Sequence, residues 1–205
     1  EAAGSSPLGY KFSWSPKGVL LAARNAARFR HEGQLYEVPG DDLLAHSKPM
    51  TLNNAFAFDV LPNRDSTAFA KLYGLADAPS FYRGTLRYQG FCERMLALAR
   101  LGLLDASPRP ELKAVAGEQM SLCQWFARIL GASASDGKPA MLDVVRSRLG
   151  SDCSKMGLEF IAWLGLLGDE LVPNNVSVDV PIDVIAQLLQ RQEMAYQPGE
   201  RDMVV

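Results

Sequence analysis

The hydrophobic pattern changes character along the chain. Residues 1 to about 88 mix helical and strand spacing; from Phe91 onward helical spacing dominates. Ser15-Pro16 reads as an N-cap followed by proline at the first helical position. KGVLLAARNAARFR then continues as a helix, with Val19, Leu20, Ala23, Ala26 and Ala27 on one side, until His31-Glu32-Gly33 ends it. In GQLYEVPG, Leu35 and Glu37 alternate with Tyr36 and Val38, which predicts a short strand closed by Pro-Gly. DDLLAHSKP predicts a turn of helix that stops before Pro49, and residues 55–61 predict a strand ending at Pro62. A short helix over 66–73 and a strand in RGTLRYQ follow. Beyond Phe91, Met95, Leu96, Ala99 and Leu103 recur at helical spacing. GEQMSLCQWFARILG, AMLDVVRSRLG, CSKMGLEFIAWLGLLGD and VPIDVIAQLLQRQEMAY continue in the same way. Gly131, Gly150 and Gly168 mark helix ends, and SPRPELKAVAG and ASASDGKPA read as loops. The pattern predicts an α+β fold: a mixed sheet with helices that carries an all-helical subdomain.

Composition narrows the functional classes. The chain has 205 residues, 48% hydrophobic and 21% charged, with 21 basic and 23 acidic side chains. A net charge of −2 offers no electrostatic footprint for nucleic acid or an anionic membrane. No apolar run approaches a membrane span. Three cysteines, Cys92, Cys123 and Cys153, without CxxC spacing, read as buried reduced thiols of an intracellular protein. The two histidines, His31 and His46, show no metal-ligand spacing. EAAGSSPLGY has no initiator Met and no signal pattern, and GERDMVV stops on what reads as the beginning of a strand. Both ends therefore read as cuts in a longer chain.

Familiar catalytic motifs are missing. There is no GxGxxG after a strand, no GxxxxGK[ST] and no GxSxG. Asp41-Asp42 reads as helix capping. What remains is arginine chemistry. In a strand, residues i, i+2 and i+4 share a face, so Arg83, Thr85 and Arg87 fall on one side and Gly84, Leu86 and Tyr88 on the other. Two fixed guanidiniums with a hydroxyl between them suit a ligand carrying several carboxylates. The same pattern also fits a half-exposed strand with arginines in water. The loop Pro62-Asn63-Arg64-Asp65-Ser66-Thr67 ends a strand, where binding residues collect; Asp65 or Ser66 can cap the next helix while Arg64 points into a cleft. In LGYKFSWS the aromatics read as core, and Lys11 and Ser13, which alternate with them, are candidates to face a site. Trp125, Phe126, Phe160 and Trp163 fit core stripes of the helices.

PLGYKFSWSPKGVLLAARNAA, AFDVLPNRDST, RGTLRYQGF and GERDMVV, in that order, resemble the glutamate-forming saccharopine dehydrogenases, including the dehydrogenase half of aminoadipic semialdehyde synthase. The resemblance is specific near residues 7–30, 57–67, 83–91 and 199–205, and weak in the helical zone outside WLGLL at Trp163. It implies a fold in which a Rossmann cofactor domain, absent from this chain, receives an inserted substrate-binding α+β region (residues 1–90 with 199–205) and a helical subdomain (91–198). It implies a reaction in which saccharopine gives a hydride to NAD or NADP and the imine is hydrolysed to glutamate and aminoadipate semialdehyde. It implies Arg64, Thr85, Leu86 and Arg87 as saccharopine-binding residues, Leu86 through its backbone. It assigns no catalytic acid or base, no metal and no cofactor ligand within the chain. It implies a cytoplasmic or mitochondrial location, and the amphipathic helices leave a homodimer open. The contrasting reading is a non-enzymatic helical interaction domain derived from that fold.

Overall fold

The computed structural model describes residues 6–53, 56–113, 119–133, 137–150, 154–190 and 194–200. Cys153 and the apolar end of GERDMVV, expected to begin a strand, lie outside the described residues. Two compact units emerge, Leu21–Cys92 and Glu1–Leu20 together with Glu93–Val205.

The smaller unit is built from two antiparallel sheets. Strands β1 (Ala27–His31) and β2 (Gln34–Val38) form a hairpin with His31 opposite Gln34. Its two-residue turn, Glu32-Gly33, has φ of 50° and 78°, the left-handed pair that matches strand twist in a tight hairpin. Strands β3 (Lys48–Asn53), β4 (Phe56–Pro62) and β5 (Gly84–Tyr88) form the second sheet in the order β3-β4-β5. The mixed sheet expected from the sequence is corrected: every pairing between these strands is antiparallel. Helix α2 (Thr67–Leu72) links β4 to β5.

The first helix is also corrected. Helix α1 covers only Pro16–Ala22, and the segment expected to extend it turns and becomes β1. Alanines fit either period, so the helical reading ran through them; Arg28, Phe29, Arg30 and His31 already alternate with period two. Between α1 and β1, the carbonyl of Arg24 packs on Gly40, where a Cβ would lie 2.1 Å from that oxygen. DDLLAHSKP forms two successive single turns, 40–42 and 44–46, and then enters β3 through Pro49. Pro49 ended the expected helix but is the second residue of a strand that the sequence reading missed. β3 lies at the sheet edge, where a missing N–H costs no ladder bond.

The larger unit is helical: α3 (Phe91–Arg100), α4 (Leu122–Leu130), α5 (Gly137–Leu149), α6 (Lys155–Trp163) and α7 (Pro181–Leu188). Local chemistry explains the boundaries. Ser121 accepts from the Gln124 amide while the Gln124 side chain accepts from the Ser121 amide, a complete capping box. Gly131 closes α4 in the left-handed region, at φ 60°. Ser154 accepts from the Gly157 amide at 2.9 Å, and Pro181 starts α7. Trp125, Phe126 and Phe160 are fully buried, and the Trp125 indole N–H donates to the Val178 carbonyl at 2.8 Å, so burial leaves no orphaned donor. Phe160 stacks on Trp163 at 5.6 Å. No helix among the described residues is long and apolar enough to cross a membrane.

Candidate functional site

The β4–β5 register sorts the arginine strand. Asp59 pairs with Arg87 and Leu61 with Thr85, so these four share one face; Val60 pairs with Leu86 and Phe58 with Tyr88 on the other. The expected separation of Thr85 and Arg87 from Leu86 is thus present. Arg83 lies just before the strand. Its amide donates to Ser66 Oγ at 3.0 Å, its carbonyl accepts from the Asn63 amide at 2.9 Å, and its guanidinium lies over the Phe69 ring at 3.6 Å. That stacking makes Arg83 a brace for α2. Gly84 follows because space demands it: a Cβ there would sit 2.7 Å from the Tyr82 ring and 2.9 Å from Val60.

Arg87 is held in a different way. Its guanidinium approaches the Phe91 ring at 5.4 Å, and Asp59 stands opposite it in the sheet. Asp59 in turn accepts from the amides of Gly90 at 3.0 Å and Cys92 at 3.4 Å, at the beginning of α3. A carboxylate on those first amides is stabilised by the helix dipole. The sequence reading missed Asp59; its place in AFDVLP, opposite an arginine, becomes visible only once β4 and β5 are in register. Burial first, then the charge of Asp59, pushes the Cys92 thiol up to about 12. Cys92 is therefore an inert core thiol.

Arg64 sits at the far end of the same strand pair. It is exposed, with φ of 49°, an uncommon conformation for a residue with a long side chain. Its carbonyl accepts from the Arg28 amide at 2.9 Å, which pins the loop to β1, while the guanidinium has no partner among the described residues. Asp65 Oδ1 accepts from the amide of Thr67 at 2.8 Å and from its hydroxyl at 2.6 Å. The Thr67 hydroxyl bond holds the Asp65 carboxyl below its ordinary value. Of the two capping residues expected, Asp65 makes the bonds; Ser66 is buried against Arg83.

These placements define the geometry. Thr85 is opposite Leu61, three residues before Arg64, and Arg87 is opposite Asp59, five residues before it. At about 3.4 Å per residue, Arg64 lies at most ~10 Å from the Thr85 level and ~17 Å from the Arg87 level along the strand. Cationic groups therefore stand at the two ends of a strand pair, with a hydroxyl between those levels.

In the helical unit, Lys11 departs from expectation by being buried. It pairs with Glu200 at 2.6 Å, and this hydrogen bond keeps Glu200 ionised below its ordinary range. Phe12 packs in the core and bonds Met194, as its spacing suggested, but Trp14 is 54% exposed and lies over Gly18.

The whole chain, residues 1–205, matches the family described as Saccharopine dehydrogenase C-terminal domain. It is 36% identical over 207 residues to the NADP(+), L-glutamate-forming saccharopine dehydrogenase of Schizosaccharomyces pombe, covering 98% of this chain and 44% of that protein. It is 36% identical to the mitochondrial alpha-aminoadipic semialdehyde synthase of Rattus norvegicus, covering 98% of this chain and 21% of that protein. The apo histidine-tagged saccharopine dehydrogenase (L-Glu forming) of Saccharomyces cerevisiae superimposes with a TM-score of 0.82 at 34% identity, covering 95% of this chain and 42% of that one. The fold is that of the C-terminal portion of a dehydrogenase. The chain belongs to the saccharopine dehydrogenase C-terminal domain family. It spans less than half the length of these relatives.

Proposed function

We propose that this chain is the substrate-binding and helical part of an L-glutamate-forming saccharopine dehydrogenase in lysine metabolism, an oxidoreductase acting on a CH–NH donor. The observation that carries the reading is the arrangement of Thr85 and Arg87 on one strand pair with Arg64 in the loop that ends it. Saccharopine is an extended secondary amine with three carboxylates. Arginines at both ends of the strand pair match its ends, and Thr85 lies between their levels. Arginine binds carboxylates through a rigid fork and stays charged, so it orients without exchanging protons. Leu86 contributes its backbone, because its side chain takes the other face. In this reading residues 1–90 with 199–205 hold substrate, and 91–198 form the helical subdomain.

The described residues contain no strand, glycine-rich turn and helix of the dinucleotide-binding kind. They do not fit NAD or NADP, and the reading places the nicotinamide cofactor in the part of the protein outside this chain. The role left to these residues is to fix the substrate so that its C–N bond meets the hydride acceptor in one orientation. Glutamate, as a product, would leave the same arginines. In this reading the compartment is intracellular, cytoplasmic or mitochondrial; the Rattus norvegicus relative is named as mitochondrial.

The test is saccharopine-dependent formation of reduced nicotinamide by the full-length protein, with NAD and with NADP. Losing one charge-assisted contact costs about 1.5–3 kcal/mol, so Arg64→Ala and Arg87→Ala should each lower kcat/KM by roughly 10- to 150-fold. The Arg64→Ala melting temperature should stay at the wild-type value. Turnover unchanged in both variants, or absent from the wild type with either cofactor, would refute the assignment.

A further inference from the structure

The three-stranded sheet has a second face. Lys48, Met50, Val60 and Pro62 share it, opposite the face of Thr85 and Arg87. The β1–β2 hairpin and Tyr82 stand beside it and, with these residues, line a cleft of about 570 Å³. Small-molecule sites typically measure roughly 300–1,000 Å³. The walls are aromatic. Phe29 and Tyr36 stack with centroids 5.5 Å apart, and Tyr82 meets Phe29 edge-on at 5.2 Å. Tyr36, Met50 and Tyr82 are each more than 40% exposed, an apolar group gathered in one place on the surface.

The polar lining has one sign. Arg30, Lys48, His31 and His46 border the cleft, and among the described residues no aspartate or glutamate does. Arg30 is fixed by the carbonyls of Ala76 and Ala78, at 2.8 and 3.0 Å, so its charge is held in place. The Lys48 ammonium has no ion-pair partner among the described residues. His46 engages the Asp42 carbonyl through Nδ1 at 2.9 Å, which leaves Nε2 for another group. Burial raises the Tyr82 phenol to about 12, so it remains a hydrogen-bond donor at neutral pH. Flat apolar walls beside unpaired cationic chemistry match a ligand with an aromatic body and one anionic head.

We propose that this cleft is a separate binding site for a small aromatic monocarboxylate, with its ring against Phe29, Tyr36, Tyr82 and Met50 and its carboxylate on Lys48. The site is independent of the saccharopine reading, because it uses the opposite face of the sheet and none of the four residues assigned to substrate.

Methionine-methyl NMR of the full-length protein tests it, with naphthylacetate as probe and the neutral naphthylacetamide as control. Met50, one of seven methionines in this chain, is assigned through Met50→Leu. Naphthylacetate should shift the Met50 signal, the amide should bind at least about tenfold more weakly, and Lys48→Gln should erase that difference while Lys48→Arg keeps it. Equal titration by acid and amide, or no shift at millimolar probe, would overturn the proposal. So would a Met50 signal that changes on dilution together with the sedimentation coefficient, because a second copy would then occupy the cleft.

Discussion

The helical unit and the α+β unit use their side chains in opposite ways. In α4, seven of nine residues are buried; in β2, four of five are exposed. Trp125, Phe126 and Phe160 fill a close-packed interior, whereas Phe29, Tyr36 and Tyr82 pack on one another at the border of a cleft. Buried aromatics contribute stability and little recognition, since nothing outside the fold can reach them. Half-exposed aromatics and an exposed arginine such as Arg64 add less stability and remain available to a ligand. The difference teaches where to look for function in this chain: in the unit with the weaker core.

That contrast can be broken by mutation. The largest effect belongs to Trp125→Ala, which opens a cavity and strands the Val178 carbonyl; it should cost about 3–5 kcal/mol in denaturant unfolding. A loss under about 1 kcal/mol would mean that the helical core is looser than its burial indicates. Gly40→Ala comes next and probes the α+β unit at one of its tight contacts. The new methyl would meet the Arg24 carbonyl, so the loop must shift, at a cost of roughly 1–3 kcal/mol. If instead Gly40→Ala were neutral, the smaller unit would lack a rigid frame for its arginines.

The smallest effect is a pH dependence. Asp65 titrates below its ordinary value of 3.8 in the folded chain. Its stabilising contribution is therefore present above 3.8 and is lost as pH falls through the lower folded value. Asp65→Asn should flatten the stability profile slightly below about pH 4, as measured by denaturant midpoints between acidic and neutral pH. An unchanged slope would show that the Thr67 bonds leave the carboxyl's titration unaffected.

Much of this molecule was legible from local pattern. The strand at 34–38, the strand before Pro62, the short helix after Asp65, RGTLRYQ and the helices beyond Phe91 all lie near their expected places. Each is announced by periodicity and by a residue that ends it. The failures have a shared cause. In AARNAARFR the alanines favour helix, and the hairpin pairing of β1 with β2 overrode that local preference. KPMTLN was missed because proline reads as a stop, although an edge strand tolerates it.

The sequence by itself determined the caps, the turns and the alternation that separates Thr85 and Arg87 from Leu86, because these depend on backbone geometry over a few residues. It also carried the resemblance that pointed to the family. Only the tertiary structure decided that Asp59 faces Arg87, that Arg64 takes a left-handed conformation tied to Arg28, and that Lys11 is buried on Glu200. Those facts depend on register and on contacts between residues far apart in the chain. Long-range packing is set by the whole fold's free energy, and no short window of sequence contains it.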